Sequence, residues 1–115
     1  MAERVENCIL AFDVGGSHVA SALCCGEDFH LGPVVSAPHS AAQTCAAFID
    51  LLHDLGVKAG SCRDANTGAM LAVPGPFDLQ AGVSLMRHKL PYLYGIDLRQ
   101  PLAACFGWQP ARCAF

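Results

Sequence analysis

Phe12-Asp13-Val14-Gly15-Gly16-Ser17 is the stretch on which the fold of this chain turns. A carboxylate closes an apolar run, Cys8-Ile9-Leu10-Ala11-Phe12, and two glycines and a hydroxyl residue follow. The unbroken run suits a central strand covered on both faces. His18 to Cys24 reads as a second strand, so Gly15-Gly16 is expected to turn a hairpin, where glycine accepts positive φ without cost. The N–H groups of such a turn lie open to a phosphate with no Cβ in the way, and successive ones form an anion-binding concavity. Ser17 adds a hydroxyl donor. Asp13 is placed to hold a hydrated Mg²⁺, an ion that keeps several waters and takes few carboxylates. The turn leads into a strand rather than a helix, which excludes a Rossmann fingerprint. No Gly-Lys-Ser/Thr follows it, which excludes a P-loop. A plain structural hairpin needs neither the Asp nor the Ser.

Outward from that turn the chain alternates short elements. Gly26-Glu27-Asp28 is a second turn, and Phe29 to Ser36 a third strand that Pro33 marks as an edge. Ser40-Ala41-Ala42-Gln43 has the capping-box pattern. Behind it Cys45, Phe48, Ile49, Leu52 and Leu55 recur at helical spacing, which predicts a helix from about Ala41 to Leu55 with Gly56 as its stop. Lys58 to Thr67 is polar and loop-like. Ala69 to Val73 reads as a buried strand ended by Pro74-Gly75-Pro76, which cannot continue a ladder. Asp97 caps a last helix carrying Leu98, Leu102, Cys105 and Phe106 on one side, with Pro101 early in it and Gly107 as its end. Ala111 to Phe115 starts another strand. The order is β-β-β-α-β-α-β, an α/β chain whose crossover helices return parallel strands. Cys8–Phe12 is expected at the centre of a mixed sheet, with the first hairpin and the third strand on one side and Ala69–Val73 parallel to it on the other.

Composition narrows the function classes. Of 115 residues 53% are apolar and 15% charged, a balance that fits a packed domain. The formal net charge is −3 and no basic block is present, so nothing favours nucleic acid. No apolar run nears the roughly 20 residues of a membrane span, and the polar start, Met1-Ala2-Glu3-Arg4, does not read as a secretory signal. The seven cysteines include no C-x-x-C pair, and free thiols in a reducing cytosol are expected. The five histidines are scattered and have no metal-ligand spacing.

Further landmarks follow the turn in order: Pro74-Gly75-Pro76-Phe77-Asp78, then Lys89-Leu90-Pro91, then Ile96-Asp97-Leu98-Arg99. With Asp13-Val14-Gly15-Gly16-Ser17 they make the chain resemble the ROK family of sugar kinases and sugar-responsive repressors over nearly its whole length. The resemblance implies an actin-like, ribonuclease H-like ATPase domain. It implies transfer of the ATP γ-phosphoryl group to a sugar hydroxyl in a cytoplasmic, glucokinase-like hexose kinase, with ATP and Mg²⁺ as cofactors and glucose as the leading hexose. The full-length parent would be a homo-oligomer with no nucleic-acid or membrane partner. Asp13, Gly15, Gly16 and Ser17 would line the phosphate and magnesium side, and Gly75 and Lys89 the sugar side. Ser17 replaces the family's usual Thr, His18 stands where Lys or Asn is common, and Lys89 stands where many glucokinases of the family carry Asn.

In that family the strand matching Ala111 to Phe115 leads into an Asn-Asp pair whose Asp is the general base. The sugar-binding Glu and His and a cysteine-rich zinc motif come later still. Residues 1–115 are therefore expected to form an N-terminal phosphate-loop domain, incomplete at its C-terminal end and without a catalytic residue of its own. Leu98, Leu102 and Phe106 are expected to be partly exposed for lack of the next helix. Asp78 and Asp97 read as a turn residue and a helix cap rather than catalytic groups. Arg87, His88 and Lys89 sit in a loop whose default is solvation. Two other functions remain: a sugar-responsive repressor, disfavoured because only 12 residues precede Asp13, and a non-catalytic sugar- or nucleotide-binding module with the fold alone.

Overall fold

A computed structural model describes residues 8–28, 30–60 and 68–115. Strands β1 (Cys8–Val14) and β2 (His18–Cys25) pair antiparallel through their whole length, with Asp13 opposite Ala20 and Val14 opposite Val19. Two short strands, β3 (His30–Leu31) and β4 (Val35–Pro38), both add to the free edge of β2. Helix α1 (Cys45–Lys58) then leads to β5 (Gly68–Ala72), which lies parallel to β1 on its other side with Ala72 beside Asp13. A small hairpin of β6 (Phe77–Asp78) and β7 (Val83–Ser84) precedes a 3₁₀ turn at Pro91–Leu93 and helix α2 (Arg99–Phe106). Strand β8 (Cys113–Ala114) closes the sheet, parallel to β5. The main sheet reads β3-β2-β1-β5-β8, with β4 also on β2.

Several boundaries differ from those read in the sequence, each for a local reason. The expected third strand is two strands, and Phe29, its first residue, lies outside the described residues. The Gly32 N–H still bonds the Leu23 carbonyl at 2.8 Å, but Pro33 has no N–H to continue the ladder. Helix α1 starts later than Ala41, because Thr44 is its cap: the Thr44 hydroxyl accepts from the Ala47 N–H at 3.1 Å. Ser40 instead belongs to a turn in which the Ala42 N–H bonds the His39 carbonyl, and Gln43 follows that turn. Gly56 does not stop the helix. It lies inside it, where a Cβ would sit 2.6 Å from Phe106 Cζ and 2.7 Å from Leu10 Cδ2, so glycine is there for close packing. Gly107 ends α2 as expected, at φ 75°. Of the polar stretch after α1, residues 61–67 lie outside the described residues. The β6–β7 hairpin was not foreseen, since strands of two residues leave no periodicity to read.

Both helices pack on one face of the sheet. Leu10, Phe12 and Val14 of β1, Val19 of β2 and Leu71 of β5 meet Phe48, Ile49, Leu52 and Leu55 of α1 and Leu102 and Phe106 of α2 in one core. Leu98, Leu102 and Phe106 are thus buried, at 2%, 0% and 8% exposure, and not partly exposed as expected. The apolar surface left open is elsewhere. β1 alternates buried and exposed residues, so it is covered on one face only, and Ile9 and Met70 are 44% and 52% exposed on the other. The expectation of free thiols also fails at one pair. The antiparallel register sets Cys8 opposite Cys25 at a Cα separation of 4.1 Å, and the two form a disulfide. Residues 17 apart become neighbours only once the hairpin register is known. Cys45, Cys105 and Cys113 keep free thiols.

Candidate phosphate turn and adjoining cleft

The Gly15-Gly16-Ser17 turn joins β1 to β2 at the C-terminal end of β1. It is closed by the Gly15 N–H, which donates to the His18 carbonyl at 2.8 Å. That donor is therefore spent on the hairpin. The Gly16 and Ser17 N–H groups make no hydrogen bond among the described residues and are the ones open to an anion. Contrary to the expectation from the sequence, the glycines are not there for positive φ: neither lies in the left-handed region. Gly15 is needed for space, whereas a side chain at Gly16 would meet only ordinary contact. A Cβ on Gly15 would come within 3.3 Å of the His18 carbonyl oxygen, and one on Gly16 would point toward the ammonium of Lys89, 3.8 Å away.

His39 braces the turn from behind. Its backbone N–H donates to the Ser17 carbonyl at 2.9 Å, and its ring Nε2 donates to the Gly15 carbonyl at 2.8 Å. The side chain is buried and meets the Phe48 ring edge-on. Sequence reading passed over His39, one of five scattered histidines. The only signal was its place between a strand end and a helix start. Ser17 Oγ and His18 Nδ1 lie 2.9 Å apart in a hydrogen bond, so the serine hydroxyl is oriented along the turn.

Asp13 is exposed at the end of β1 and has no hydrogen-bond or ion-pair partner among the described residues. It points to the uncovered face of the sheet, the face opposite the helices. The register of Asp13 beside Ala72 carries the Pro74-Gly75-Pro76 turn to the same end of the sheet. Ligands in open α/β sheets gather at the carboxyl ends of strands, and both turns are there. Gly75 itself is exposed, precedes a cis proline and has no atom within 4 Å of its Cβ direction.

Lys89 lies close to the turn, its ammonium 3.8 Å from the Cβ position of Gly16. Its loop is held by Leu90, a buried side chain on a left-handed backbone (φ 48°, ψ 50°), an uncommon conformation for a residue of that size. The Leu93 N–H bonds back to the Leu90 carbonyl, and Leu93 is buried as well. Thus anchored, the loop brings the Lys89 ammonium over the Gly16 turn. A cleft of about 400 Å³ opens beside it, lined by His39, Ser40, Gln43, Leu90, Pro91 and Tyr92. The Tyr92 hydroxyl is buried without a partner, and burial pushes its pKa up. Arg87 is occupied differently: its guanidinium donates to the Tyr94 hydroxyl at 2.7 Å and stacks over the same ring. Asp78 and Asp97 serve backbone, accepting from the Ala81 and Arg99 N–H groups; Asp78 is a turn residue as expected, whereas Leu98 is the cap of α2 and Asp97 precedes it.

The arrangement has parallels among solved structures. The chain superposes on a ROK hexokinase from Thermus thermophilus with a TM-score of 0.66 and 23% identity, over 88% of this chain and 33% of that one. It superposes on an inorganic polyphosphate/ATP-glucomannokinase from Arthrobacter sp. strain KM with a TM-score of 0.69 and 15% identity, over 89% of this chain and 42% of that one. The fold is one that sugar kinases have. No protein-family model matches the chain, and no curated protein is similar to it. The chain spans about a third of the length of the ROK hexokinase. Within that sugar-kinase fold, no helix among the described residues is long and apolar enough to cross a membrane.

Proposed function

We propose that this chain supplies the phosphate-loop lobe of an ATP-dependent hexose kinase, glucokinase-like in its acceptor. The observation that carries the proposal is the Gly15-Gly16-Ser17 turn, with two backbone donors that have no partner among the described residues and an ammonium close to Gly16. ATP and Mg²⁺ fit the residues present: the space above Gly16 is one a Cβ would enter, and the Asp13 carboxylate at the strand end is paired with no cation among the described residues. ATP would supply the phosphoryl group, and Mg²⁺ would neutralise part of its charge. The Gly16 and Ser17 N–H groups would hold phosphoryl oxygens, and Asp13 would take the hydrated metal ion. His39 keeps the turn in its binding shape through two hydrogen bonds. The cleft beside the turn, walled by Leu90 and Tyr92, would take the sugar. Gly75 would let the chain approach that sugar closely. Positioning and electrostatic stabilisation account for most of such a reaction, so fixed donors are the chief contribution of this lobe.

In this reading the lobe contributes the phosphate turn and the cleft, and the general base would come from elsewhere in the protein. Asp78 and Asp97 are occupied by backbone N–H groups. Loss of a general base typically costs about 10²–10⁴-fold in rate. The test has two parts. Calorimetric titration of the 115-residue chain is expected to give saturable Mg-ATP binding that adenosine does not displace. A coupled assay with ATP, Mg²⁺ and a hexose panel is expected to give no turnover from the same chain. Absence of nucleotide binding removes the proposal; turnover would put the base within the sequence and reopen Asp78 and Asp97.

A further inference from the structure

We infer that Lys89 is a phosphoryl-binding cation of this turn rather than a sugar contact, an assignment that rests on the phosphate-turn reading above. Three observations meet at this residue. The Lys89 ammonium lies 3.8 Å from the Cβ position of Gly16, on the side where the turn has no side chain of its own. Lys89 has no ion pair or hydrogen bond among the described residues, although it sits within reach of a polar turn. The backbone behind it is held in a costly conformation, with buried Leu90 at φ 48° and the 3₁₀ turn Pro91–Leu93 locked onto it. Strained backbone persists where the surroundings over-determine it, and such places cluster at ligand clamps. Arg87 on the same loop is tied to Tyr94, so of the loop's two permanently charged side chains Lys89 is the one left available.

The chemistry follows from the geometry. An anion seated on the Gly16 and Ser17 N–H groups would occupy the gap between those donors and the ammonium. It would then be gripped from two sides, by fixed dipoles below and a full charge above. Lysine acts on phosphate as a compact point charge, with no demand for the bidentate geometry of arginine. The matching ligand is a phosphoryl group carrying more than one negative charge, such as the terminal group of a polyphosphate chain. A neutral sugar hydroxyl would gain little from a lysine placed there.

The experiment is calorimetric titration of the 115-residue chain with sodium tripolyphosphate and, separately, with glucose. Lys89→Met is expected to weaken tripolyphosphate binding about tenfold and to leave glucose binding within twofold. Lys89→Arg is expected to retain affinity within about threefold. Lys58→Met, an exposed lysine at the C-terminal end of α1, is expected to change nothing. Tripolyphosphate affinity within twofold of the unsubstituted chain in Lys89→Met overturns the inference alone, and so does an equal loss in the Arg and Met variants. Failure of the unsubstituted chain to bind tripolyphosphate overturns both the inference and the phosphate turn.

Discussion

Replacing Gly16 by alanine separates binding from folding at the centre of the site. Gly16 is outside the left-handed region, so alanine can take its backbone conformation without strain. The new methyl would meet Lys89 Nζ at 3.8 Å, an ordinary van der Waals contact. Alanine also lowers the entropy of the unfolded chain, which stabilises a compatible site by about 0.4–1 kcal/mol. Gly16→Ala is therefore expected to be as stable as the parent or slightly more so. Binding should move the other way. The methyl fills the space between the turn and the ammonium, where a phosphoryl oxygen would have to sit. Displacing it removes at least one hydrogen bond to a charged group, worth about 1.5–3 kcal/mol. At about 1.4 kcal/mol per decade, affinity for tripolyphosphate should fall roughly 10- to 100-fold. Urea denaturation reads the first quantity and calorimetry the second. Unchanged binding in a variant of undiminished stability would refute the idea that the anion lies above Gly16.

Gly56→Ala should do the reverse, harming stability and sparing the turn. Its methyl would collide with Phe106 and Leu10, an overpacking cost of about 1–3 kcal/mol against a helix-propensity gain of about 1 kcal/mol, and a urea midpoint at or above the parent's would contradict this. Stability should fall as pH rises above about 9. Burial pushes the Cys105 thiol up to about 12 and the Cys113 thiol up to about 11, well above the ordinary thiol range. The folded state therefore keeps protons that the unfolded chain gives up, and the contribution present below pH 9 is lost on the way to pH 12. Denaturation midpoints at pH 8, 9 and 10 should show a slope that is shallower in a Cys105→Ala, Cys113→Ala double variant; equal slopes count against it. The uncovered sheet face around Ile9 and Met70 should drive self-association, read as a light-scattering mass that rises with concentration and falls back in Ile9→Lys; a monomer throughout the range contradicts it.

The turn at Gly15-Gly16-Ser17 was legible because its chemistry is local: an acidic strand end, small residues and a following strand are adjacent in the sequence. The placement of β1 beside β2 and β5 was legible for the same reason, from apolar runs separated by turns and a helix. What stayed hidden depends on tertiary neighbours. The role of Gly56 is set by Phe106, 50 positions away, so in sequence it looks like a helix stop. The Cys8–Cys25 bond depends on a register that no spacing reveals. The single covered face of β1 follows from α1 and α2 packing on the same side, which an apolar run cannot specify. At the site, the nearness of the Lys89 ammonium to Gly16 was hidden because it depends on the left-handed Leu90 behind it, which no local pattern announces. His39 was unreadable because its bonds to Gly15 and Ser17 link residues more than twenty positions apart.

The most direct test of the phosphate turn is a ¹⁵N-labelled titration of the chain with Mg-ATP, following backbone amide resonances. The Gly16 and Ser17 amides, which donate to no group among the described residues, should shift saturably and further than any others, while the Gly15 amide, already bonded to His18, should move less. Saturable shifts confined to residues away from this end of the sheet, with Gly16 and Ser17 unmoved, would contradict the account.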